Sequence, residues 1–327
     1  MTRTELHSFL QKFRVLPNGK NNKLMYYVRS TFRSFVPNFF LEKEFLSLLK
    51  DWEARPDAGY IRERVDYYNK LSSLSVLPPD TGCVGDIRNI GSVYYRDSYE
   101  VVRYFDKSLK IATAFGDNTS VPKFPAICKS RPIEGDVANA VLLNLDKVRH
   151  FIFLKDTRSF EDKFDKAIFR GAIYQPQRIR FMEKYFGHPL VDCGDTGHSV
   201  LKEEWRCHPI SLYDHLAYKF IVALEGNDVA SNLKWIMSSN SVAVMPKPRF
   251  ETWFMEGRLI PNYHYIEIRS DYTDLPEKIN YYSEHPNEAK EIAQHANDWC
   301  RQFFNKKRER LIALLVMNKY FKFTCQK

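Results

Sequence analysis

No stretch of this 327-residue chain stays apolar for the ~20 residues that a membrane span requires; the longest apolar run, LIALLVM at 311–317, is far shorter. The opening residues, MTRTELHSFLQKFRVLPNGK, also lack the apolar segment of a secretion signal. Both absences lead to the expectation of a cytoplasmic protein. Cysteine is sparse: Cys83, Cys128, Cys193, Cys207, Cys300 and Cys325 are scattered with no CxxC pair, so a disulfide scaffold is excluded and free thiols are expected. Cys193, His198, Cys207 and His208 cluster within sixteen residues, but at no common zinc-module spacing, and no metal site is expected. No repeat, low-complexity tract or RNA-binding signature is present, which leaves nucleic acid without support as a partner.

What is present is a globular composition. Aromatic residues make up 15% and apolar residues 44%, too much for a disordered chain, and the length suffices for two domains of ordinary size. The net charge of +9 favours anionic partners: nucleic acid, nucleotide sugars, phosphorylated glycolipid and an anionic membrane surface all qualify, and charge does not choose between them. The basic residues are spread out, with one dense cluster at Lys306-Lys307-Arg308 and Arg310.

Periodicity divides the chain. Leu41 to Trp52 and Ala58 to Leu71 carry apolar residues at helical spacing with charged faces and form a peripheral helical lead, closed by the turn-rich LPPDTGCVGD at 77–86. LKIATAF (109–115), AICKSRP (126–132) and AVLLNLD (140–146) are strand candidates. AIFRG is a strand ending at Gly171, and Pro176 fits the first turn of the next helix. From Asp214 to Ile268 the pattern is strand (Tyr218 to Leu224), Glu-Gly-Asn-Asp turn, helix, strand (Val242 to Met245), short helix and strand (His264 to Ile268). Such alternation predicts a parallel, doubly wound α/β unit, with ligands beyond the carboxyl ends of its strands. The tail is helical from Leu275, and its last helix joins the basic cluster to an apolar face that either packs on the first domain or lies on an anionic membrane.

The chemistry-bearing positions follow from that layout. After Leu224, Gly226 permits a tight turn, Asn227 or Asp228 caps a helix continuing as VASNLKWIM, and Ala230, Ser231, Asn232 and Lys234 lie in or near its first turns. A helix start there would offer unpaired N–H groups to a diphosphate. Asp117, directly after a strand, sits where reacting groups of such sheets lie, or merely forms an Asx turn in a GDN loop. Lys129 and Arg131 face either the crevice, where they would suit a phosphorylated acceptor or donor phosphates, or solvent. Trp253 and Phe254 are core or stacking residues, and His215 and His264 receive no catalytic role.

The FRG at 169–171, the segment GNDVASNLKW and the segment FETWFMEG together resemble glycosyltransferase family 90, most of all its bacterial lipopolysaccharide branch; the likeness runs from about Phe115 to Asp298. The resemblance implies two Rossmann-like α/β domains facing a central cleft (the GT-B arrangement), with residues 1–160 as helical lead and acceptor-side domain, 161–304 as donor domain and 305–327 as a helix returning to the first domain. It implies an inverting transfer of a hexose or xylose from a UDP-sugar to a hydroxyl of a lipopolysaccharide core or related glycan. Asp117 becomes the general base; Arg170, Gly171 and Arg178, with Gly226 to Asn232 and Lys234, become the donor site, and Glu251 reaches the donor's hydroxyls. The chain departs from the animal members in having Ile179 where they carry an acidic residue and Leu233-Lys234 where they carry arginine. No DxD motif follows a strand, DYTD at 271–274 having the wrong spacing, and a metal-independent, cofactor-free transfer is implied. The rival expectations are a non-catalytic nucleotide- or carbohydrate-binding protein of the same fold and a basic, membrane-associated scaffold of envelope assembly.

Overall fold

The computed structural model describes residues 15–33, 35, 38–87 and 91–324. Two compact units divide them. One, the helical unit, takes Lys23–Val148, Phe250–Met255 and the chain from Phe303 onward. The other, the parallel-sheet unit, takes the described residues up to Asn22, Arg149–Arg249 and Glu256–Gln302.

The helical unit opens with α1 (Lys23–Arg33), α2 (Asn38–Leu49), α3 (Ala58–Tyr68) and α4 (Val93–Val102). Three short strands, β1 (Thr113–Ala114), β2 (Ala126–Cys128) and β4 (Ala140–Leu142), pair in parallel in the order β1-β2-β4, while β3 (Ser130–Pro132) leaves that sheet. Parallel strands are covered on both faces, which is why β2 and β4 are continuous buried apolar runs rather than alternating ones. The one-turn α5 (Lys147–His150) then leads into the parallel-sheet unit.

There the elements are β5 (Phe164–Gly171), α6 (Pro176–Tyr185), β6 (Val191–Asp195), α7 (Leu212–His215), β7 (Tyr218–Val222), α8 (Leu233–Met237) and β8 (Val242–Met245). The chain leaves for β9 (Phe250–Thr252) and returns for β10 (Ile266–Glu267), α9 (Leu275–Glu284) and α10 (Pro286–Arg301). The five strands of this sheet are all parallel, ordered β10-β8-β7-β5-β6. Phe220, Ile221 and Val222 of β7 are fully buried, each worth about 1.5–3 kcal/mol against exposure. The chain starts at β5, steps outward to β6 and comes back on the other side as β7. The β5/β7 boundary is therefore the topological switch point, where the connecting loops diverge and open a crevice.

Three features differ from the sequence expectations. The helix after β7 starts at Leu233, not near Val229, and has five residues; the Asn232 amide donates back to the Val222 carbonyl at 3.0 Å and so closes the loop between them. FETWFMEG is not a short helix: β9 is followed by Met255 in the left-handed region (φ 60°) and one 3-10 turn at Glu256–Arg258. β9 also pairs antiparallel with β3, so residues 250–255 belong to the helical unit. Finally, the helical lead is not peripheral. Ile61, Val65 and Tyr68 of α3 are buried against α11 (Lys306–Phe323), whose Leu311–Met317 run is at most 8% exposed. A helix apolar on all sides at its centre belongs in a core; its packing excludes the membrane-surface alternative for this helix.

Candidate functional site

The switch point is organised by Arg178. Pro176 starts α6 with its fixed φ and missing N–H, both suited to a first helical turn, and this brings Arg178 under the loop that follows β7. Its guanidinium donates to the carbonyls of Ala172 (3.1 Å), Leu224 (3.1 Å) and Glu225 (3.2 Å), tying the loop after β5 to the loop after β7. Burial pulls its pKa down from the usual arginine value. Gln177 adds bonds to the carbonyls of Glu225 (3.1 Å) and Gly226 (2.7 Å). A side chain at Gly226 would bring Cβ to 3.3 Å from the guanidinium, so glycine there lets the loop after β7 close on the arginine.

Around that staple, Asn227 is exposed and its side-chain oxygen accepts from Gln175 at 3.4 Å, while Asp228 and Ala230 are buried and Ser231 and Asn232 half-buried. Asp195, at the end of β6, is fully buried; its Oδ1 accepts from the Gly197 N–H (2.7 Å), and the Thr196 N–H binds the Gly171 carbonyl (3.0 Å). Among the described residues, Asp195 Oδ2 and Gln175 Oε1 are buried acceptors without a partner. Polar atoms so placed call for a water or a ligand hydroxyl.

The cations that the sequence assigns to a diphosphate are not equivalent in the structure. Arg170 turns to Asp192, which also accepts from Tyr218, making a strand-to-strand trio across β6, β5 and β7. Lys234 is fully buried and pairs with the equally buried Glu256. Exposed cations at this edge include Lys247 and Arg249, just past β8. The Glu225 carboxylate accepts from both the backbone N–H and Nε of Arg249, each at 2.8 Å, and so holds that side chain at the end of β7. The sequence reading missed Gln175, Gln177, Asp195, Lys247 and Arg249. For the last three a signal existed: each lies at or just past the carboxyl end of a sheet strand.

In the helical unit, Asp117 follows Gly116 (φ 119°) and pairs with Lys129, Oδ1 to Nζ 2.5 Å. Lys129 is buried and the Asp117 side chain is 25% exposed. Asn118 donates to the Ala114 carbonyl, which pins the loop to β1. Arg131 and Glu251 are both buried and bind each other at 2.8 Å across the β3–β9 pair. Arg131 also donates to the carbonyls of Tyr67 (2.6 Å), Tyr68 (3.2 Å) and Ala140 (3.0 Å), and Tyr67 donates to Glu251. These two residues, expected at an acceptor and at a donor, tie α3 to two strands. Trp253 is likewise core: it stacks on Tyr68 at 3.8 Å and donates to Glu309 at 2.7 Å, and Phe254 is fully buried.

His215 pairs its Nδ1 with the Ser211 carbonyl (2.8 Å), and burial lowers its pKa. Burial pushes the Cys193 thiol up to about 12. Among the described residues no group of three His, Cys, Asp or Glu side chains could hold a metal, the five described cysteines are free, and no helix is long and apolar enough to cross a membrane. Cys325 lies outside the described residues.

Residues 144–327, which include the whole crevice, match the family model described as Glycosyl transferase family 90. The chain belongs to that family. It is 41% identical over 303 residues to the O-glucosyltransferase LpsA of Dichelobacter nodosus, covering 92% of this chain and 95% of that protein. Similarity to the human Protein O-glucosyltransferase 3 is 27% over 168 residues, half of this chain and 33% of that protein; to the Danio rerio Protein O-glucosyltransferase 2 it is 26% over 148 residues, 43% and 29%. For this family 90 chain, Asp117, Lys129 and Arg131 precede the segment that the family model matches, whereas Arg170 to Asn232 lie within it.

Proposed function

We propose that this family 90 protein is an inverting O-glucosyltransferase that takes glucose, or a related hexose or xylose, from a UDP-sugar and places it on a hydroxyl of a lipopolysaccharide core or similar glycan. The observation that carries the reading is the Arg178 staple at the switch point. It holds two loops at the place where doubly wound sheets bind nucleotides, beside the partnerless acceptors of Gln175 and Asp195. The glucosyl donor follows the names of the relatives, and the acceptor follows the bacterial branch that the chain's motifs resemble.

In this reading the donor is held by the parallel-sheet unit, and Asp117 is the base that the family resemblance implies. The acceptor O–H attacks the anomeric carbon opposite the leaving group. The C–O bond to the diphosphate breaks, Asp117 takes the acceptor's proton, and the products are the inverted glycoside and UDP. The leaving diphosphate is held without a metal by Arg249 and Lys247, with backbone N–H groups of the 226–232 loop. Arg178 acts as a positioning residue, since its guanidinium is committed to three carbonyls.

The test is UDP release from a panel of UDP-sugars, with and without truncated core oligosaccharide, with and without EDTA, for the intact chain and Asp117→Asn. One donor giving acceptor-dependent turnover that survives EDTA and is lost in Asp117→Asn, with UDP binding retained, supports every part. UDP binding with no turnover on any acceptor replaces the enzyme by a binding protein of the same fold. Absence of UDP binding overturns the donor site.

A further inference from the structure

The helix α1 turns a polar stripe inward: Tyr26 donates to Asp97 of α4 at 2.8 Å, Ser30 is fully buried, and Arg33 pairs with Glu100 at 2.9 Å. Its large apolar side chains face out. Leu24, Val28 and Phe32, at i, i+4 and i+8 and therefore on one stripe, are 71%, 38% and 67% exposed. The stripe continues through Phe35 (74%) to Phe39 (68%) and Phe40 (59%) at the start of α2, with the rings of Phe32 and Phe35 6.5 Å apart and those of Phe39 and Phe40 5.7 Å apart. An ordinary surface helix hides its apolar stripe and shows its charges; single exposed apolar residues are common, but six large ones within seventeen positions of the chain mark a surface that something covers.

Charge selects what covers it. α1 carries Lys23, Arg29 and Arg33 and no acidic residue; at 100° per residue Arg29 lies about 100° from Val28 at the middle of the stripe, and Lys23, at the exposed first position, about 140° round the other way. Residues 1–14 have Arg3, Lys12 and Arg14 against a lone Glu5, so that segment carries the same sign as the helix. Two copies meeting through this face would bring like charges together. A lipid surface with anionic headgroups complements both features at once: aromatic and aliphatic side chains enter the acyl boundary while the flanking lysine and arginine reach the headgroups. We propose that α1 and the start of α2 form a docking face for an anionic lipid bilayer. The inference does not rest on the donor or acceptor assignment.

The test uses the full chain and sedimentation with vesicles of phosphatidylcholine alone or mixed with phosphatidylglycerol. The chain is expected to bind the mixed vesicles, less as salt rises, and the neutral ones weakly. Leu24→Ser with Phe32→Ser should lower partition by about tenfold or more, equivalent to some 1.4 kcal/mol or more, with the melting temperature and UDP binding of the parent. Arg29→Glu should weaken binding to mixed vesicles alone. Failure to bind mixed vesicles, or equal binding by the double variant, overturns the proposal. It is equally overturned if the parent is a dimer that Phe32→Ser dissociates, or if vesicle binding requires removal of residues 1–14, since a second copy or the chain's own start would then cover the face.

Discussion

Arg178 shows how one side chain can hold two loops in place. Three backbone carbonyls from two loops converge on its guanidinium, and removing it leaves buried acceptors unpaired. Arg178→Gln should destabilise the protein by about 2–3 kcal/mol and weaken UDP binding; a denaturant midpoint together with UDP titration checks both. Arg249→Gln should weaken UDP binding with an unchanged midpoint, because that side chain is exposed and its ion pair with Glu225 lies at the surface. His264 supplies a pH dependence. Burial, and then the nearby His295, pull its pKa down to about 4, and its Nδ1 accepts the Ile260 N–H at 2.9 Å. The unfolded imidazole titrates near 6.5, so below that pH the unfolded chain binds a proton that the folded one refuses. The stability this group contributes is full above pH 6.5 and is lost as the pH falls toward 4. His264→Asn should flatten that slope in melting curves recorded across the interval.

At the scale of elements, the helical unit is joined by buried charge. Arg64 of α3 binds Glu309 of α11 at 2.7 Å with no exposure of its own, under the rings of Tyr68 and Phe303. Arg131 and Glu251 join β3 to β9 in the same way. Breaking one partner of a buried pair strands the other, at about 3–5 kcal/mol. Glu309→Gln and Glu251→Gln should therefore each lower the denaturation midpoint strongly, whereas Asp66→Asn, which leaves an exposed contact with Lys319, should change it by less than about 0.5 kcal/mol. The Glu251 result also bears on its role: a folded fraction of Glu251→Gln that binds UDP with parental affinity would mark the residue as structural, and a selective loss of UDP binding would restore it to the donor site.

For the whole molecule, the chain passes between the units after Asn22, Val148, Arg249, Met255 and Gln302. Neither unit is a continuous segment, and the last pass delivers α11, whose buried face completes the helical core. Ending the chain at Gln302 should expose Ile61, Val65 and Tyr68 and leave the helical unit unable to fold cooperatively, seen as loss of its unfolding transition and rapid proteolysis of residues 58–142.

How much of this was legible in the sequence follows from the range of the forces involved. Hydrophobic periodicity and proline are local signals, and they located β5, β7 and β8, the start of α6 at Pro176 and the three tail helices to within a few residues. The motifs FRG, GNDVASNLKW and FETWFMEG carried the family. Partner choice is not local. Whether Arg170, Lys234, Arg131 or Glu251 meets a ligand or an opposite charge depends on residues up to 120 positions away, as in the Arg131–Glu251 pair. The length of the helix after β7 turned on one amide reaching back to Val222, and the outward face of α1 on polar partners in α4. The sequence by itself determined where strands and helices could form and which family they compose. The tertiary structure alone decided which charges remain at the surface, because a buried ion is tolerated only where the fold supplies its counter-ion, and that supply comes from elsewhere in the chain.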